Sequence, residues 1–150
     1  MERFKTLEKS VLPSEMVAIE NKLDVSFPED YKTFLLEKNV SIAKEQYLSI
    51  LIDDLNEKVI FGVMLGVSEN QNFSLIGWNS EYQSELPSDS FVFATEYGGG
   101  LFVMLLSGEE KGIYFWDHTF IFEESTEDSN VYFLADSFTE FLERLVVSET

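Results

Sequence analysis

Apolar residues recur at helical spacing near both ends of the chain. In "PSEMVAIENKL", Met16, Ile19 and Leu23 fall on one face and Ser14 is placed to cap the helix. A second helix is predicted from Pro28, because proline suits the first helical position and Glu29 and Asp30 favour the positive end of the helix dipole. Tyr31, Phe34 and Leu35 form its apolar face, and Asn39, which tolerates a left-handed backbone, is its expected stop. At the far end, "SFTEFLERL" opens with Ser137 and Glu140 at capping-box spacing, followed by a stripe of Phe138, Phe141, Leu142 and Leu145.

Between these helices the period becomes extended. "YLSILI" (47–52) and "VIFGVML" (59–65) flank Asp53, Asp54 and Asn56 and read as a hairpin. "NFSLIGWNSEYQ" is assigned a short helix on Phe73, Ile76, Trp78 and Tyr82, against the weakening effect of Gly77. After a turn at Pro87 and Ser88 come four aromatic and β-branched runs, "FVFAT", "LFVMLL", "GIYFW" and "VYFLA". Their short glycine-bearing connections favour an antiparallel meander. The segregated order of elements argues for α+β. The expected architecture is one domain over residues 1–150, with a meander sheet of about five or six strands and the N-terminal and C-terminal helices packed on one side.

Composition narrows the function. The chain has no cysteine and one histidine, His118, which removes disulfides, thiol nucleophiles and cysteine-based zinc sites. No apolar run is long enough to span a membrane and the N-terminus is charged, so a soluble, cytoplasmic protein is expected. Net charge is −18, and all but one unit lies in residues 45–150, where twenty acids face only Lys58, Lys111 and Arg144. Such a field repels nucleic acid and anionic membranes and attracts a basic partner. The same acidity also keeps a chain with fourteen phenylalanines soluble, and composition alone leaves both readings open.

Candidate chemistry is sparse. Gly98 to Gly100 in "EYGGGLF" lead into a strand-like run with no lysine and no capping residue, so they are read as a turn, with or without a bulge, between strands 91–95 and 101–106. The acidic doublets at Asp53, Glu109, Glu123 and Glu127 are read as solvated turn charges, and "EESTEDSN" lacks the glycine and ligand order of a calcium loop. No catalytic residue, cofactor or metal site is assigned. A structural turn hydrogen bond and a partner contact both remain open for His118. Trp78, Tyr82, Tyr97, Tyr114 and Trp116 suit either core packing or anchors of a protein-binding patch. "LFVMLL" and "GIYFW" are apolar on both faces, and the face away from the helices needs a cover from further chain or from a partner.

Four segments in order, "IENKLDVSFPEDYKTFLLEKN", "LPSDSFVFATEYGGGLFVMLL", "KGIYFWDH" and "YFLADSFTEFLERL", resemble the SUKH superfamily, in its Smi/Knr-like branch of cell-wall-synthesis regulators and bacterial immunity proteins. The matching positions include Glu20, Pro28, Tyr31, Gly99, Gly100, Trp116, His118 and Ser137, and the resemblance covers about residues 14 to 146. Asn39, Val40 and Ser41 stand where family members commonly carry Asn-Gly-Gly. The resemblance implies an α+β immunity protein that binds and neutralises a cognate polymorphic toxin, expected to be a basic nuclease domain. The alternatives are a regulatory interaction scaffold and, from another class, a carboxylate-dependent enzyme. A monomer or weak homodimer is expected. Glu81, Glu85, Glu109, Glu110, Glu123 and Glu124 would steer the encounter, with Trp78, Tyr97, Trp116 and His118 as contacts.

Overall fold

The computed structural model describes residues 3–44 and 46–147. The elements run β1 (Phe4–Thr6), α1 (Pro13–Leu23), α2 (Glu29–Lys38), β2 (Ser41–Ala43), β3 (Leu48–Ile52), β4 (Glu57–Met64), α3 (Leu75–Tyr82), β5 (Ser90–Glu96), β6 (Leu101–Leu105), β7 (Gly112–Trp116), β8 (Val131–Ala135), α4 (Phe138–Arg144) and β9 (Val146–Val147). The fold is α+β, and all six strands expected from the sequence are present. The three additions, β1, β2 and β9, are two or three residues long, too short to set a period.

Helix ends follow local chemistry. Pro13 occupies the first position of α1, so its cap is Leu12 and not Ser14, with the Glu15 carboxylate accepting from the Leu12 N–H at 2.9 Å. Pro28 caps α2, which begins one residue later, at Glu29. Asn39 ends it at φ 54°, as its tolerance of positive φ allows. Ser137 caps α4 by accepting from the Glu140 N–H at 3.1 Å.

Strand pairs are antiparallel throughout, in the order β1-β2-β4-β5-β6-β7-β8. The first half of β4 pairs with β3 and its last residues with β2, while β3 also carries β9. From β5 to β8 the sheet is the expected meander. The edges of β3 and β8 are joined by Arg144 at the end of α4, whose guanidinium donates to the carbonyl oxygens of Leu134 and Leu51 and to Asp53 Oδ2 at 3.1 Å.

The core is an aromatic layer between one sheet face and the helices. Phe93 of β5 sits at its centre, its ring 5.3 Å from Phe141 and 5.8 Å from Phe138 of α4, 6.2 Å from Tyr31 of α2 and 6.4 Å from Phe102 of β6. Most contacts in the layer are edge-to-face, the arrangement that ring quadrupoles favour. One member carries a polar handle that the layer does not use. The Tyr31 hydroxyl is fully buried with no protein partner, and burial pushes its phenol pKa far above the ordinary 10.0. Tyr31→Phe is therefore expected to leave stability unchanged or raise it by up to about 1 kcal/mol, read by urea denaturation. The raised folded-state value also sets a sign: this phenol's contribution to stability is intact below its ordinary pKa and is lost as pH climbs above it.

Candidate protein-binding face

On the strands that place Phe102 and Phe115 in the core, alternate residues point the other way. Leu101, Val103 and Leu105 of β6, Tyr114 and Trp116 of β7, and Val131 and Phe133 of β8 make up this outer face. Register brings Leu101 opposite Trp116 and Val103 opposite Tyr114, and then Tyr114 opposite Phe133 and Trp116 opposite Val131. Only one end is covered. Tyr82 of α3 stacks on Trp78 at 6.1 Å and meets Trp116 edge-on at 5.4 Å and His118 at 5.2 Å. Toward β8 the cover stops, leaving Val131 54% and Phe133 39% exposed.

The cover is held by a side chain that imitates a strand. Where β4 leaves β5, Asn79 of α3 accepts from the Val92 N–H at 2.7 Å and donates to the Val92 carbonyl at 2.8 Å, with a second donation to the Leu75 carbonyl at 2.8 Å. Asn79 is buried, and Ser74 caps the helix by accepting from the Gly77 N–H at 3.0 Å. This anchoring explains how a short helix survives an internal glycine. Asn79→Ala leaves both Val92 groups unmatched and is expected to cost about 2 kcal/mol, with a change in tryptophan emission as Trp78 and Tyr82 loosen over Trp116.

Between the cover and β8 lies an open groove of about 380 Å³. Its floor is Val103, Leu105, Tyr114, Trp116 and Val131, one wall is Leu86 and Pro87, and Glu85, Glu110 and Glu127 stand around it. Neither lysine nor arginine lines it, whereas the adjoining clefts contain Lys22 or Lys111. None of the three carboxylates forms an ion pair among the described residues. The field acts on the phenols nearby. Burial first and then Glu81 and Glu85 raise the pKa of Tyr82, and burial followed by Glu110 raises that of Tyr114.

One end of the sheet carries the glycine corner. Gly99 has φ 109°, and a Cβ on Gly100 would clash with Phe115 Cζ, too close for any side chain. The corner closes by hydrogen bonds from the Glu96 N–H to the Gly100 carbonyl at 2.8 Å and from the Gly100 N–H to the Glu96 carboxylate at 3.1 Å. It is a turn leading into a strand, with a bulge between Val92 and Ala94. His118 Nε2 lies 2.9 Å from the Gly99 carbonyl, a structural contact that ties β7 to the corner.

Beside it, the buried carboxylate of Asp117 organises the following loop. It accepts from the N–H groups of Ile121 at 2.9 Å and Phe122 at 3.1 Å and from Ser125 Oγ at 2.6 Å. The loop holds Phe120 at φ 56°, with Phe120 and Ile121 exposed.

Of the ten residues singled out from the sequence, Trp78, Trp116 and His118 form one aromatic cluster around Tyr82, Glu81 stands beside that ring, and Glu85 and Glu110 line the adjoining groove. Tyr97 stands apart on the glycine corner, 5.3 Å from Tyr47. Glu109 is exposed in the β6–β7 turn, and Glu123 and Glu124 are exposed on the loop after Asp117. Sequence reasoning passed over Val131, Phe133 and Glu127. The first two were legible as alternate positions of "VYFLA", while Glu127 carried no signal that set it apart from other turn carboxylates.

No helix among the described residues is long and apolar enough to cross a membrane. A family model described as the SMI1 / KNR4 family (SUKH-1) matches residues 11–144. No curated protein and no solved structure matches the chain.

Proposed function

Because the chain belongs to the SMI1 / KNR4 family (SUKH-1), we propose that it is a non-catalytic binding protein, and specifically an immunity protein that neutralises a cognate polymorphic toxin by stoichiometric occlusion. The observation that carries this reading is the half-covered outer face, apolar at its floor and acidic at its rim. A nuclease toxin presents a cationic surface to hold phosphates. An acidic, aromatic face matches that surface in charge and supplies the rigid anchors that binding hot spots use. Glu81, Glu85 and Glu110 would steer the approach and Trp116 with its neighbours would bury contact area, so association should slow steeply as salt rises.

The test is co-expression with the toxin C-terminal domain encoded beside this chain. Rescue of growth and co-purification at equal stoichiometry are expected. Absence of both rescue and co-purification would overturn the reading, and a regulatory scaffold would then be favoured, the more so for a gene far from any toxin or secretion locus.

A further inference from the structure

The outer groove is more selective than an acidic surface in general. An apolar trench alone would take a leucine or phenylalanine side chain. Here Leu105, Trp116 and Val131 lie among Glu85, Glu110 and Glu127, and no base in the lining neutralises them. The occupant that satisfies both parts has a long apolar stem and a cationic head. Its methylenes would cover the indole and the valine while its charge stays at the mouth among the carboxylates. A guanidinium suits the mouth better than an ammonium, because its planar fork offers five donors to several acceptors at once and is the more weakly hydrated ion. The groove's volume also fits a short stretch of chain better than a lone side chain.

We propose that this groove captures an arginine-bearing loop of a partner protein, with the arginine stem laid on Trp116 and Val131 and the guanidinium held among Glu85, Glu110 and Glu127. The inference rests on the reading of the outer face as the binding surface and adds the chemistry that recognises the partner. Beside the groove, the phenol pKa values of Tyr82 and Tyr114 are raised first by burial and then in part by the carboxylates of Glu81, Glu85 and Glu110.

The experiment titrates the isotopically labelled full chain with acetyl-Gly-Arg-Gly-Arg-Gly-amide, and in parallel with the same peptide carrying citrulline, the uncharged isostere, at each arginine. Saturable shifts are expected at the Trp116 indole and at Leu105 and Val131, with the citrulline peptide weaker by about tenfold or more. A triple variant, Glu85→Gln with Glu110→Gln and Glu127→Gln, should lose binding by a similar factor. A charge-matched control, Glu57→Gln with Glu69→Gln and Glu143→Gln, should keep it. All six positions are exposed, and circular dichroism checks that both variants fold.

Equal binding of the citrulline peptide would show an apolar slot and overturn the proposal. Equal loss in both triple variants would reduce the effect to net charge and also overturn it. Shifts elsewhere, or none, would do the same, as would loss of the groove signals by self-association on raising the protein concentration. Toxin rescue without peptide binding would leave the immunity reading standing and place the contact on another surface. Peptide binding without rescue would overturn the immunity reading alone.

Discussion

Replacing Phe93 by alanine is expected to destabilise the protein by about 4 kcal/mol, within the range measured for buried phenylalanines. Phe93 is fully buried, and its ring meets rings from α2, α4 and β6. Truncation removes both its own burial and one side of three edge-to-face pairs and of the tilted contact with Phe102. The cavity cannot collapse easily, because the surrounding rings are carried by three separate elements. For a chain of this size the loss corresponds to a fall in melting temperature of roughly 10 °C. Phe93→Leu fills most of the space and should recover more than half of the loss. Calorimetry on the two variants checks both statements, and an alanine variant within about 1 kcal/mol of the parent would mean that Phe93 is not the centre of the layer.

The second large effect is expected at Asp117. Its carboxylate is fully buried and accepts three hydrogen bonds from the loop that follows β7. Asp117→Ala leaves the Ile121 and Phe122 N–H groups unmatched, and a cost of about 3 kcal/mol follows from the penalty for orphaned donors beside a lost charge-assisted network. Ser125, which also lies 2.7 Å from the Tyr132 hydroxyl, loses its carboxylate partner at the same time. Phe120 would then be released from its positive φ, a conformation that persists in a non-glycine residue only where its surroundings enforce it. Hydrogen exchange should show loss of protection in residues 119–125 with the meander unaffected. Asp117→Asn keeps one acceptor and is expected to cost about half as much. Unchanged protection in the alanine variant would sink the assignment of Asp117 as the loop's organiser.

Much of this architecture could be read from the sequence because it depends on period and local caps. The stripe on "SFTEFLERL", the glutamate and aspartate opening α2, and the alternation in the late strands all act over a few residues. What could not be read depends on contacts across the fold. Asp117 was visible only as the neighbour of His118, and its burial exists because a loop folds back over it. Asn79 gave no sign in the sequence that it would pair with Val92, thirteen residues away. That strands β6 and β7 are apolar on both faces was plain from the letters. Which end is covered by α3, and which stays open, required the helix to be placed. The ten chosen residues fared unevenly for the same reason: Trp78, Trp116 and His118 converged with Glu81, Glu85 and Glu110 near α3, while Glu109, Glu123 and Glu124 stayed with their turns and Tyr97 with the glycine corner.

Arg144 gives the sheet a direction for contact. A terminal strand with free carbonyl and amide groups invites a stranger's strand to extend the ladder, a route to both peptide capture and aggregation. By donating to Leu134 on β8 and Leu51 on β3, the guanidinium fills acceptor sites that such a strand would use. One arginine thus acts as a bolt between two borders of the sheet. Side-on extension is hindered at that seam, and what β8 presents beside it is side chains of the open face.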